Sequence, residues 1–326
     1  MKQRILVLGA GGFVGRRLME NLALVDWATP LAPRHRAPAC PAQAGAGSLD
    51  ATDARQLAAA MHGVDAVVNA VAGSPATIAA NAKALFAAAA AQAAPPRIVL
   101  LSSMAVYGPA TGVVDEHAPL NAGGGYAAAK VESERCAGRY PRAVILRPGC
   151  VYGPHSRQWS DRIAGWLRTA RIGNLGDAGE GCCNLLHVDD LAGAIVAALR
   201  RPAVEGETFN LAVPAPPTWN EYFLLVAQAL GALPLRSVPH LRLTFESRLL
   251  APLLKIAQRA TESAGLDSRW LPEPIPPSLL RLFRQRISLD TNKARELLGL
   301  RCTPLAEGIR AALAGSPAGA AAMAAR

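Results

Sequence analysis

RILVLGAGGFVGRRLMENLALV, residues 4–25, is the stretch on which the fold turns. Its first part is a short apolar run that stops at Gly9, and from Phe13 onward apolar residues recur at helical spacing. A strand, a tight turn and a helix are predicted in that order. The turn holds Gly9, Gly12 and Gly15 in GxxGxxG spacing. In such a turn the first glycine permits the reversal, the second lets the backbone approach a diphosphate, and the third lets helix pack on strand. The helix N-terminus then supplies free N–H groups for the anion. The spacing is common by itself; its place directly after a first strand and at the opening of a helix gives it meaning. The basic start MKQR followed by apolar residues superficially suggests a secretory signal, but ILVL is too short for the apolar core of one. No stretch of about 18 apolar residues occurs elsewhere, so a cytoplasmic location is expected.

Outward from this segment the same rhythm repeats. ATPLA follows Trp27, then come a helix in DARQLAAAMHG, a strand in DAVVNAVAG, a helix in ATIAANAKALFAAAAAQAA and a strand in RIVLLSS. A helix from Tyr126 to about Gly138, the strand AVILRPG, the helix DDLAGAIVAALRR and the strand ETFNLA complete the series. Strands alternating with helices predict an α/β fold, a doubly wound parallel sheet of the Rossmann kind, with ligands at the carboxyl ends of its strands. The helix from about Ala76 to Ala94 is apolar nearly all round, which predicts burial on more than one side. A homodimer interface shared with the Tyr126 helix is preferred over alanines tiling a half-exposed surface. After Pro214 the grammar changes: the proline-rich connectors VPAPPTW and LPEPIPP separate helical pieces, and NKARELLGL reads as a short helix stopped by Gly299. The expected organisation is a dinucleotide-binding domain at 1–154, a substrate-lobe segment at 155–184, a return to the first domain at 185–214, a smaller, mainly helical C-terminal substrate lobe at 215–314 and a flexible tail at 315–326.

Composition narrows the function classes. With 51% hydrophobic and 18% charged residues among 326, the chain is globular. The six cysteines (Cys40, Cys136, Cys150, Cys182, Cys183, Cys302) show neither CxxC nor metal-ligand spacing, so free thiols and no metal are expected. The net charge of +10 comes from scattered, mostly arginine, side chains without an aromatic-interleaved stripe. Nucleic acid is therefore not expected, and a phosphate-bearing small molecule is the economical partner.

GGGYAAAKVE, residues 123–132, is the second informative stretch. Tyr126 and Lys130 stand four apart in a run of glycine and alanine, so a helix stacks them on one face, able to reach a common point. Five tyrosines and five lysines in 326 residues make such a pairing by chance an event expected well under once.

Gly9, Gly12 and Gly15, LSSMAVYG at 101–108, YAAAK at 126–130, LRPGCVYGP at 146–154 and LLHVDDLAGAI at 185–195 occur in one order. In this the chain resembles the extended short-chain dehydrogenases/reductases, the NAD-dependent epimerase/dehydratase superfamily; the likeness weakens after about residue 215. The resemblance implies an enzyme that moves a hydride between a nicotinamide and a carbonyl carbon while a proton moves to or from the oxygen. It makes Tyr126 the general acid/base, Lys130 the cation that favours phenolate and bonds the cofactor ribose, and Ser103 the holder of the substrate oxygen. It assigns cofactor contacts to Gly9, Gly12, Phe13, Val14, Gly15, Asp50, Ala51, Ala70, Val71, Ala72, Lys130, Pro148 and Val151, with Asp50 on the adenine. Ser102 reads as structural, Tyr107 and Tyr152 as packing or lining, and His187 with Asp189 or Asp190 as structural, one of the aspartates capping the next helix. Where NAD-users carry an acid after the second strand, APRHRAP offers Arg34 and Arg36. NADP(H) is therefore preferred, with NAD(H) as the other possibility and solvated loop charges as the bland reading of both arginines.

Two departures bear on the reaction. Met104 and Ala105 stand where sugar-nucleotide 4,6-dehydratases carry an Asp-Glu pair, and Cys150 stands where many sugar-nucleotide epimerases carry a diphosphate-touching asparagine. Both point away from nucleotide sugars and toward the 3β-hydroxysteroid dehydrogenase-like branch, hence an oxidoreductase of small, apolar alcohols and ketones. A nucleotide-sugar epimerase with tightly bound NAD is the alternative, and a cofactor-sensing binding protein is a third reading. From Leu241 to Ile287 leucines mix with Arg242, Arg248, Lys255, Arg259, Arg281, Arg284 and Arg286. A solvated helix face over a substrate cleft is preferred there, and peripheral contact with an anionic membrane is the other reading.

Overall fold

The computed structural model describes residues 2–33, 49–263 and 272–314. In chain order it begins with β1 (Gln3–Leu8), α1 (Phe13–Ala23), β2 (Ala28–Leu31), α2 (Ala54–Ala60), β3 (Ala66–Asn69), α3 (Pro75–Ala90) and β4 (Arg97–Leu101). It continues with β5 (Gly112–Val114), α4 (Gly125–Ala137), β6 (Ala143–Pro148), β7 (Cys150–Tyr152), α5 (Arg162–Arg168), β8 (Leu185–His187), α6 (Val188–Arg200) and β9 (Thr208–Leu211). Six strands form one parallel sheet in the order β2-β1-β3-β4-β6-β9. Alternation along β1 builds both faces of its core: Ile5 and Val7 pack with Leu18 and Leu22 of α1 and Ile195 of α6, whereas Leu6 and Leu8 pack with Leu57 of α2 and Leu85 of α3. From β1 the chain steps to β2 on one side and then to β3 on the other. That reversal opens a crevice at the carboxyl ends of β1 and β3, where doubly wound sheets bind ligands.

Two expectations about elements change, the end of the alanine helix and the cap of α6, whereas burial of that helix on more than one side is seen. The long alanine helix ends at Ala90, and its burial arises within one chain: α3 lies between α2 and α4, leaving a stripe of Ala76, Ala80, Lys83, Ala87 and Ala90 exposed. Neither aspartate caps α6. His187 is its N-cap, with Nδ1 accepting from the Asp189 N–H at 3.4 Å. Asp189 instead takes the Arg17 guanidinium from α1, and Asp190 accepts from the N–H and hydroxyl of Thr303 at 2.9 and 2.7 Å. Arg34, Arg36, Cys40 and the tail from 315 lie outside the described residues.

The remaining elements are α7 (Trp219–Leu230), α8 (His240–Phe245), α9 (Ala251–Ser263), α10 (Pro277–Phe283), β10 (Ile287–Leu289), α11 (Asn292–Leu297) and α12 (Leu305–Ala314). A capping box of Thr218 and Glu221 starts α7, and Gly299, at φ +68°, follows α11. A second core gathers Trp166, Trp219, Tyr222, Phe223 and Phe283 with Cys150 and Tyr152. It is tied to the first by parallel pairing of β10 with β5 and β7 with β8, and by Asn184, which bonds both Ile287 and Leu289 of β10.

Candidate active site

The glycine turn is closed tightly by the protein itself. Gly9 stands at φ +82°, and a Cβ there would sit 2.6 Å from the Ala70 carbonyl oxygen at the end of β3. A Cβ on Gly15 would lie 2.1 Å from the Gly9 carbonyl oxygen, so helix and strand meet only because both lack side chains. Gly12 is exposed and is the N-cap of α1, which has no side-chain cap and no acid in its first turn. The first-turn N–H groups of Phe13, Val14 and Gly15 thus face the crevice mouth with no carboxylate competing for an anion, a cradle that fits a dinucleotide diphosphate. On the other side of the crevice a buried amide relay fixes the loop after β3. Asn69 donates to Asn81 at 2.8 Å, Asn81 donates to the Ala51 carbonyl at 2.7 Å, and Asn69 accepts from the Val71 N–H at 3.3 Å. Ala51, Val71 and their neighbours Asp50, Ala70 and Ala72 are thereby held at one rim. Asp50 is exposed, and its carboxylate accepts from the Thr52 N–H and hydroxyl at 2.8 and 2.7 Å. Pro148 ends β6 and Val151 lies in β7.

Ser103, Tyr126 and Lys130 come together between β4 and α4. Ser103 leaves β4 in extended conformation and starts a single helical turn, Met104–Tyr107, its hydroxyl accepting from the Ala105 N–H at 3.2 Å. Tyr126 occupies the first turn of α4 and is 46% exposed, the most open tyrosine in the chain. Burial of the phenol oxygen raises its pKa above the usual value, and the adjacent Ser103 hydroxyl opposes that rise. Lys130, one turn on, is 6% exposed. Its Nζ lies 5.8 Å from the Tyr126 ring centre and donates to the Leu101 carbonyl at the end of β4 at 2.6 Å. Burial lowers its pKa to about 8, against the pull of the Glu134 carboxylate. Lys130 is not among the groups that shift the Tyr126 phenol; desolvation and the Ser103 hydroxyl are.

One turn further along the same face, Glu134 anchors a buried network that the sequence reading passed over. Arg147 of β6 holds Glu134 with both Nε and Nη2, at 3.0 and 2.7 Å, and both side chains are almost wholly buried. Ser102 donates to the same carboxylate. Arg147 also donates to the Tyr107 hydroxyl at 2.8 Å, which in turn donates to Asn210 of β9 at 2.6 Å. Ser102 and Tyr107 are therefore structural, as read from the sequence. The step of four from Tyr126 to Lys130 continues to Glu134, and that continuation was the available signal. Met104 is buried against Val106 and Val131, so it brings no acid or base to the site. Cys150 is packed into the second core, where burial pushes its thiol up to about 12.

A model of the NAD dependent epimerase/dehydratase family matches residues 5–212. The chain belongs to that family. Among its relatives, Protein YeeZ of Escherichia coli (strain K12) is 34% identical over 141 residues, 43% of this chain; the chain spans about half (48%) of that protein's length. The 2'-dehydrokanamycin reductase of Streptomyces kanamyceticus is 30% identical over 242 residues, 70% of this chain and 67% of that protein. Among solved structures, RMD from Pseudomonas aeruginosa complexed with NADPH superposes with a TM-score of 0.69 at 17% identity, covering 98% of this chain and 99% of that one. At that identity the likeness concerns the fold. The cradle at the opening of α1 fits the diphosphate of a dinucleotide.

Proposed function

We propose that this family member is an NADP(H)-dependent oxidoreductase that interconverts a secondary alcohol and a ketone on a small, apolar substrate, with Tyr126 as general acid and base. The observation that carries the proposal is an open tyrosine beside the Ser103 hydroxyl and one turn from a buried lysine. The nicotinamide, when bound, supplies or accepts the hydride at the carbonyl carbon. Ser103 holds the substrate oxygen by a hydrogen bond, and Tyr126 transfers its phenolic proton to that oxygen as the ketone is reduced, later regaining it from solvent. In the oxidative direction the same oxygen takes the proton from the alcohol. Lys130 holds the ribose and stabilises the transient phenolate. Gly9, Gly12, Phe13, Val14 and Gly15 hold the diphosphate, Asp50 and Ala51 the adenine side, and Ala70, Val71, Ala72, Pro148 and Val151 the rest of the cofactor.

Preference for NADP(H) rests on Arg34 and Arg36, with no acid in APRHRAP to claim a ribose diol. A non-nucleotide substrate is supported by the apolar Met104 and the enclosed thiol of Cys150, neither of which offers a polar group to a diphosphate sugar. The matched 2'-dehydrokanamycin reductase supports carbonyl reduction as the reaction type. Replacing Tyr126 by Phe removes the proton donor and little else. Turnover of a ketone panel with NADPH should fall about 10²- to 10⁴-fold while the dissociation constant for NADPH stays within about two-fold. Retained turnover would remove Tyr126 from the chemistry.

A further inference from the structure

The outward face of the helical segment at 240–263 is neither core nor ordinary surface. Leu241, Phe245, Leu249, Leu253 and Ile256 are each between 58% and 82% exposed and follow one another at steps of four, four, four and three. The wider i→i+5 turn at Glu246–Leu250 offsets the drift that four-residue steps make on a regular helix, so these exposed side chains follow one continuous stripe. The opposite face is already occupied: Leu243, Glu246, Ser247 and Ala251 are buried, and Glu246 is held by Arg171 at 2.6 Å. The stripe is therefore a second apolar face, left over after the helix has packed on its own lobe.

Its charge setting is one-sided. Arg242, Arg248, Lys255 and Arg259 are exposed along the same segment, and Arg281 and Arg284 are exposed on and just after the neighbouring α10. Two acids occur in 240–263: Glu246, which points inward to Arg171, and Glu262, next to the last residue of the segment. From the stripe and its basic border we infer that this face docks on an anionic lipid surface, with the leucines and Phe245 entering the acyl boundary and the arginines and lysine reaching back to the headgroups. At 1.5 Å per residue the segment extends about 36 Å, a length suited to lying in the plane of a bilayer. A second copy of the chain fits less well, because a two-fold contact across the stripe would set its basic border against itself. The inference is independent of the reaction proposed above.

The test is co-sedimentation of the full chain with vesicles of phosphatidylcholine, with and without phosphatidylserine, at low and high salt. Binding is expected to the anionic vesicles and to weaken with salt. The Leu249→Gln/Leu253→Gln variant keeps every charge and alters only exposed side chains; it should lose about ten-fold or more in partitioning while its NADPH affinity and thermal transition stay unchanged. The Arg248→Gln and Lys255→Gln variants should each lose about five-fold. Absence of binding to anionic vesicles at low salt would overturn the inference. So would undiminished binding of the double leucine variant, which would assign the effect to diffuse positive charge. Concentration-dependent self-association that the same variant abolishes, without vesicle binding, would assign the stripe to a second copy instead.

Discussion

Lys130 is pulled two ways: burial favours its neutral form, and Glu134 one turn along favours the ammonium, with burial the stronger. The result, a pKa of about 8 against 10.5 for a free lysine, has two consequences of opposite sign. The charged amine is the better donor to a ribose, so kcat/KM for the cofactor, which reports ionisations of the free enzyme, should fall as pH rises through about 8. Stability should move the other way. Between about pH 8 and 10.5 the unfolded chain binds the proton that the folded state has shed, so the Lys130 contribution to stability rises with pH across that window. Lys130→Met should abolish both trends, and pH series of initial rates and of thermal unfolding will show whether it does. At this scale the placement of Tyr126 and Lys130 one turn apart on a helix was legible from the sequence, because a helical step of four needs no tertiary knowledge, whereas Ser103 was singled out only through the family resemblance. The direction of the Tyr126 shift was not legible, since it depends on how deeply the phenol oxygen is desolvated.

Between β4, α4, β6 and β9 the Ser102–Glu134–Arg147–Tyr107–Asn210 network fixes how the helix bearing Tyr126 and Lys130 sits on the sheet. A bidentate ion pair with both members buried is costly to break from one side. Arg147→Met should destabilise the fold by about 3–5 kcal/mol, because Glu134 is left charged without a partner. The double variant Arg147→Met/Glu134→Leu should recover most of that loss, and denaturant unfolding of the three proteins checks both statements. An Arg147→Met variant as stable as the parent would deny the pair its structural role. The strands and helices of the sheet were legible from periodicity, and the end of α3 was placed a few residues late. The cap of α6 was misplaced for a physical reason: Asp189 and Asp190 are drawn away by Arg17 and Thr303, partners from other elements that no local pattern announces.

Over the whole molecule, one parallel sheet places its glycine turn and the start of the Tyr126 helix toward the carboxyl ends of its strands, while a second aromatic core carries the helical lobe. The alternation of elements and the order of the motifs were enough to read the first of these. The lobe was harder, and the segment at 240–263 shows why. Its Glu246–Leu250 stretch is a wider turn, with i→i+5 hydrogen bonding, between α8 and α9. That turn rotates the faces on either side, so ideal helical spacing does not sort inward from outward leucines. Only the folded arrangement separates Leu243 from Leu241, Phe245 and Leu249.

The central claim, a nicotinamide dinucleotide used as an exchanging cosubstrate by an oxidoreductase, is tested most directly by denaturing the purified protein and measuring any released cofactor by mass spectrometry, with its stoichiometry. Empty sites or traces of NADP are the predicted result. Near-stoichiometric NAD would contradict it, because a cofactor that stays bound between turnovers belongs to an enzyme that returns its hydride to the substrate, as a nucleotide-sugar epimerase does.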